Sequence, residues 1–402
     1  MRAGRVRLAA AAALVAAAAS ACGGSSDAGP ARPAAAGGGA TASAARPRGS
    51  VTFGVLAPLS GPDAARGRDL LDGAKLAVAD LNVAGGVLGK RAALVSADDG
   101  CEAGSARTAA RRLAGEDVAG VLGGVCTSAA RAAVRALVPS RLPVLVTSAT
   151  APTIVDPTRT PNAYLESGTP YQEALATVHW LAYMTAQRLA VVTDAGQASR
   201  ALARGVIGLS DPAPKVVSRQ TLRDATPDWS AIAQIALAAK PDTVYWAGAA
   251  DASGALLAAL RGAGFDGTFV ASAQSESPRF LAAAGGAGAG AYVVAPASPQ
   301  NLPAAAGWAK RFSAAYERAP GRDALRAYDG LRALAQAVTQ TGKVDAKLNA
   351  AQLPRLEDSY RTFLGGLQFA SDHTVKYDEH IVLTVSGGAF KVASTLRSDS
   401  GG

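Results

Sequence analysis

The sequence predicts an α/β fold made of two doubly wound parallel-sheet lobes. Short apolar runs alternate with helical stretches from residue 50 to residue 395, and the series runs twice, with a break after Pro161. The stretch from Gly120 to Thr153 reads as strand, glycine turn, helix, strand and small polar loop. In open α/β sheets, small ligands bind outside the carboxyl ends of strands and near helix N-termini, so this stretch predicts half of a small-molecule cleft.

Val51–Leu56 is an apolar strand, followed by a polar turn from Ser60 to Gly67. Leu70, Ala74, Ala77 and Leu81 then recur at helical spacing across 68–83. Ala92–Ala97 is the next strand, a helix surrounds 105–113, and 118–122 is a strand ending in Gly123-Gly124. These glycines permit a sharp turn without a Cβ clash. Thr127 and Ser128 stand at N-cap positions ahead of an alanine-rich helix, and Ser148-Ala149-Thr150 follows the strand that begins at Pro143.

The second series places helices at 179–184, 198–209, 229–239 and 252–262. Its strands fall at 189–193, 216–222, 242–247, 268–272 and 291–296. Helices at 304–316 and 324–340 follow, and 381–385 with 390–393 predict a hairpin across Gly387-Gly388. Two similar lobes imply a hinged cleft between them.

The start of the chain reads as an export signal. Arg2, Arg5 and Arg7 precede an apolar run from Leu8 to Ala19, too short to span a membrane, and Ala19-Ser20-Ala21 leads into Cys22. This resembles a lipoprotein signal, in which the cysteine is lipidated and becomes the new N-terminus. The departure is Ala19, where that motif usually carries leucine. Residues 1–21 are therefore expected to be removed, and 22–49, almost all Gly, Ala, Ser and Pro, to form a flexible tether.

Removing residues 1–21 takes away three arginines, so the net charge of +9 becomes +6. The surplus is spread thinly, without a Lys/Arg run, and does not support nucleic-acid binding. Besides Cys22 there are Cys101 and Cys126. An exported chain is expected to pair them, closing a loop of about 25 residues that stabilises by roughly 3 kcal/mol. A metal pair is the alternative. It needs further ligands, and His179, His373 and His380 are not at ligand spacing.

The segments GVLAPLSGPDAARGRDLLDGAKLAVADLN, ADDGCEAGSARTAARRL, VAGVLGGVCTSAA, PVLVTSATAP, PDTVYWAG, FLAAAG, AYDGLRAL and FLGGLQF carry a resemblance by their order and spacing. The chain resembles type I periplasmic solute-binding proteins, the leucine/isoleucine/valine-binding group of ABC importers. The resemblance implies two lobes joined by a three-segment hinge that closes on a solute. One lobe is expected at about 51–169 and 297–372, the other at about 170–296 and 373–395, with 396–402 as a tail. It also implies that Cys101 and Cys126 are linked, as in some members.

By the same match, Thr127, Ser148, Ala149 and Thr150 hold the solute carboxylate through hydroxyls and backbone amides, and Trp246 covers the ligand. Three departures bear on specificity. Ala273 and Gln274 stand where the family places an acid to pair with the solute ammonium, and Glu276 serves only if the loop shifts. Arg66 replaces an aromatic before Gly67, and Gln197-Ala198 replaces another in the loop after Thr193. A buried ammonium without a partner is costly. The expected solute is therefore a small polar amino acid, amide or carboxylate other than a standard branched-chain amino acid.

Expected partners are that solute, an ABC permease and the membrane through a lipid anchor only, with the protein acting as a monomer at the outer face of the cell membrane or in a periplasm. No cofactor is expected. The chain has no G-x-S-x-G, HExxH or P-loop lysine motif, and its Gly286-x-Gly288-x-x-Ala291 precedes a strand instead of following one, so enzymatic activity is not expected. The adjacent Asp98-Asp99 pair reads as a solvated turn. Sensing through a membrane partner, or a binder with an eroded pocket, are the competing readings.

Overall fold

The computed structural model describes residues 49–222, 227–356 and 361–399. The expected signal segment, Cys22 and the tether up to residue 48 lie outside the described residues. Among the described residues no helix is long and apolar enough to cross a membrane.

The first series consists of β1 (Val51–Ala57), α1 (Ala64–Val83), β2 (Ala92–Asp98), α2 (Ala103–Ala114), β3 (Val118–Gly123), α3 (Thr127–Leu137), β4 (Val144–Val146) and β5 (Ala163–Leu165). Its five strands form an all-parallel sheet in the order β2-β1-β3-β4-β5. Helices cover both faces, which is why β1 and β3 are buried throughout and, apart from Thr52, apolar. Phe53 and Val55 enter one packing layer, and Leu56 with Val121 enters the other. Gly123 has φ +140, and a Cβ there would collide with the carbonyl of Leu56, so the turn after β3 requires glycine.

The second series is α4 (Pro170–Tyr183), β6 (Arg188–Thr193), α5 (Gln197–Leu209), β7 (Lys215–Thr221), α6 (Trp229–Ala238), β8 (Thr243–Ala247), α7 (Ala250–Gly262), β9 (Thr268–Ala271), α8 (Pro278–Ala284) and β10 (Tyr292–Pro296). After it come α9 (Ala306–Tyr316), α10 (Arg322–Thr341), α11 (Ala346–Gln352), the short pair β11 (Arg361–Thr362) and β12 (Gly365–Gly366), and the hairpin β13 (Tyr377–Ser386) and β14 (Ala389–Asp399).

The second sheet has seven strands in the order β14-β13-β10-β9-β8-β6-β7. It is not wholly parallel. β13 runs antiparallel to β10, and β14 antiparallel to β13. A turn as tight as Gly387-Gly388 can join only antiparallel strands. β14 also runs to Asp399, into the stretch 396–402 that was expected to be a tail.

Helices α9 and α10 pack on α1 and so belong with the first sheet, where α10 also touches β3. The chain crosses between the sheets three times: between β5 and α4, after β10, and before β13. Residues 373 and 375 still hydrogen-bond to Leu165 of β5, so the last crossing comes immediately before β13. Cys101 and Cys126 form a disulfide that ties the starts of α2 and α3 together. Asp63 lies close to the two sulfurs, but both are used in that bond.

Candidate functional site

A cavity of about 480 Å³ opens where the three crossings meet. The first sheet and its helices contribute Arg66 from α1, Val125 and Thr127 at the start of α3, and Ser148-Ala149-Thr150 after β4. Arg322, Asp323 and Arg326 come from α10, and Ser167 and Thr169 from the first crossing. The second sheet and its helices contribute Pro170 and Glu173 of α4, Pro296 of β10 and Asp378 of β13.

One end of this cavity is rich in hydroxyls. Cys126, not Thr127 or Ser128, is the N-cap of α3, and Thr127 is its first helical residue. The first amides of a helix have no partner within it and favour negative charge. Ser148 Oγ is buried and has no hydrogen-bond partner among the described residues, a costly state unless a solute supplies one. The amide of Ala149 is not available to an anion, because it donates to Gly124 O at 2.9 Å. The hydroxyl of Ser167 donates to Ala149 O and fixes the crossing against this loop.

The other wall is charged. Arg66 Nε donates to Asp323 Oδ2 at 2.9 Å. Arg326 donates from Nη2 to Asp378 Oδ1 at 2.9 Å and from Nη1 to Glu166 O at 3.0 Å. Burial works against the charge on Arg326, but Asp378 outweighs it and holds the guanidinium charged. Burial likewise disfavours ionised Asp378, yet Arg326 and His380 hold its carboxyl below the usual range. Glu173 Oε1 accepts from Ala273 N at 3.1 Å, and burial pushes its carboxyl up. Arg322 makes no ion pair or side-chain hydrogen bond with a described residue, and its Nε is buried.

Of the residues expected at the site, Arg66, Thr127, Ser148, Ala149 and Thr150 do line the cavity. Trp246 does not: it is fully buried and donates its indole N–H to Ala249 O at 3.2 Å. Strand alternation explains this. Tyr245 enters the layer with α4 and α5, whereas Trp246 enters the opposite one, beside Trp229 and the apolar faces of α6 and α7. Gln197 at the start of α5 and Gln274 after β9 are exposed and do not reach the cavity lining.

The expected absence of a carboxylate for an ammonium is also corrected. Glu173 reaches the loop after β9 from another element and bonds the backbone of Ala273, the residue that stands in the acid's place. Glu276 is held instead by Asn301 Nδ2 at 3.2 Å, outside the lining. Sequence reasoning missed Glu173, Arg322, Asp323, Arg326 and Asp378. One local signal existed: Arg322, Arg326 and Asp329 recur at i, i+4 and i+7 on a helix that is otherwise alanine- and leucine-rich.

A family model described as periplasmic binding protein matches residues 50–389. The chain belongs to the periplasmic binding protein family. A Leu/Ile/Val-binding protein of Rhizobium johnstonii is 30% identical over 200 residues, which cover 49% of this chain and 54% of the relative. This binding protein thus aligns with about half the length of that relative. Among solved structures, a substrate-binding protein for branched-chain amino acids from Streptococcus pneumoniae, in complex with isoleucine, has a TM-score of 0.64 at 21% identity. The match covers 87% of this chain and 99% of that one. A solute-binding protein of an ABC transporter from R. palustris, in complex with benzoate, has a TM-score of 0.63 at 21% identity, covering 87% and 97%. At such identities these two show the fold alone.

Proposed function

We propose that this chain is the extracytoplasmic solute-binding component of an ABC importer, and that it closes its two lobes on a small polar solute bearing a carboxylate. The observation that carries the reading is the lining of the cavity. Among the described residues, beside arginines, carboxylates and hydroxyls, its apolar side chains are only Val125, Ala149, Pro170 and Pro296, and no aromatic lines it. Burying a leucine side chain against apolar surface is worth about 1.5–3 kcal/mol. Here the same group would instead strip water from charged residues and return little.

A carboxylate is supported by Ser148, whose buried hydroxyl has no partner among the described residues, and by the first turn of α3, since Ser148 and Thr127 both line the cavity. The two solved neighbours named above hold isoleucine and benzoate, two different solutes that share this group. The solute is therefore a carboxylic acid or an amino acid other than leucine, isoleucine or valine. Cys22 is the lipid anchor in this reading, and the partner is a permease. The test is thermal unfolding of the purified protein against amino acids, amides and aliphatic or aromatic carboxylates. A ligand at about 100 times its Kd stabilises by roughly 2.7 kcal/mol. The expected result is a shift with a polar carboxylate and none with leucine, isoleucine or valine. A shift confined to those three amino acids contradicts the reading.

A further inference from the structure

We infer that Arg322 receives a second anionic group of the solute, so that the cleft selects a dicarboxylic compound over a monocarboxylic one. The inference rests on the reading of the cavity as a carboxylate site and deepens it. Three arginines line the cavity, and their circumstances differ. Arg66 is matched by Asp323 and Arg326 by Asp378, each at 2.9 Å. Arg322 has no such partner among the described residues.

Glu276, Asp378 and Glu173 lie near enough to favour its charge, but their hydrogen bonds go to other groups, Asp378 to Arg326. Glu173 takes the amide of Ala273, and Glu276 takes Asn301. The first turn of α10 is not itself the receptor, because Asp69 caps it: Gly321 N and Ala324 N donate to the two oxygens of Asp69, both at 2.9 Å. That cap fixes where Arg322 leaves the helix. Arg318, paired with Asp69 and Asp72, holds the same corner. What remains is a guanidinium fork at the cavity wall, positioned and not consumed by the protein. Such a fork matches a carboxylate through two parallel hydrogen bonds. Ser148 Oγ and the start of α3 line the same cavity and are left for the first carboxylate.

Isothermal titration tests this with chain-length-matched pairs: succinate against butyrate, glutarate against valerate, and aspartate and glutamate to show whether an ammonium is also accepted. The wild-type protein is expected to bind the diacid at least about tenfold more tightly than its monoacid, the scale of one charged hydrogen-bond pair. Arg322→Gln is expected to reduce that ratio to about one, and Arg322→Lys to leave it intermediate, since a lysine keeps the charge but not the fork. Equal affinity for diacid and monoacid in the wild type, or a ratio that survives in Arg322→Gln, overturns the inference while the carboxylate reading stands. Failure of every carboxylate to bind removes both.

Discussion

Arg326 Nη2 lies 2.9 Å from Asp378 Oδ1, with both side chains under 5% exposed. The first belongs to α10, packed on the five-stranded sheet, and the second to β13 of the seven-stranded sheet. One buried ion pair thus joins the two lobes at the back of the cleft. Removing one partner leaves a buried charge without compensation, which costs about 3–5 kcal/mol. Asp378→Ala and Arg326→Met are each expected to lower stability by that amount, measured by urea denaturation. A loss below about 1 kcal/mol would show that the pair is solvated.

Ser148 is the hydroxyl whose partner the solute is expected to supply. Ser148→Ala removes it with little change in volume, and affinity for the carboxylate solute is expected to fall about tenfold. Because Ser148 Oγ has no partner among the described residues, the melting temperature of the empty protein should hardly move. An unchanged affinity, or a destabilised empty protein, would point to a structural role.

Asp329 sits fully buried on the same helix, and burial pushes its carboxyl up from 3.8 to about 7. Its folded form therefore binds a proton more tightly than the unfolded chain does. The stabilisation this gives is present below the unfolded pKa and is lost as pH rises through the folded one, between about pH 4 and 7. Full ionisation withdraws roughly 4 kcal/mol at most. Asp329→Asn carries no proton to lose and keeps an oxygen for the amide of Phe363, which donates to Asp329 at 2.9 Å. The stability of the variant relative to wild type is expected to rise from pH 5 to pH 8, followed by denaturation midpoints. A constant difference across that range would contradict the assignment.

The disulfide between Cys101 and Cys126 closes a loop of 25 residues. Replacing both cysteines by alanine is expected to cost about 3 kcal/mol. As the bond ties the starts of α2 and α3, carboxylate affinity should weaken as well, because Thr127 follows Cys126 directly. A calorimetric scan with and without solute reads both effects, and a double variant with wild-type stability would refute the first.

What the sequence made legible was local. Thr127 and Ser148–Thr150 lie in one strand-helix-strand unit, where the rule that ligands sit beyond the carboxyl ends of strands operates over a few residues. Arg66 came from the family resemblance, as the residue in an aromatic's place before Gly67, and it stands in the first turn of α1. Glu173, Arg322, Arg326 and Asp378 could not be gathered that way, since they are drawn from three separated segments, α4, α10 and β13, by the three crossings. Trp246 shows a different limit. It stands at the carboxyl end of a strand, but the parity of that strand sends its ring into the core. The hairpin was visible in Gly387-Gly388, whereas its antiparallel pairing with β10 depended on a long-range contact.

The most direct measurement is a crystal structure of the protein with the carboxylate that gives the largest thermal shift. One carboxylate is expected within hydrogen-bonding distance of Ser148 Oγ and the first turn of α3, inside the cavity at the three crossings. A solute seated elsewhere, with Ser148 still without a partner, would contradict it.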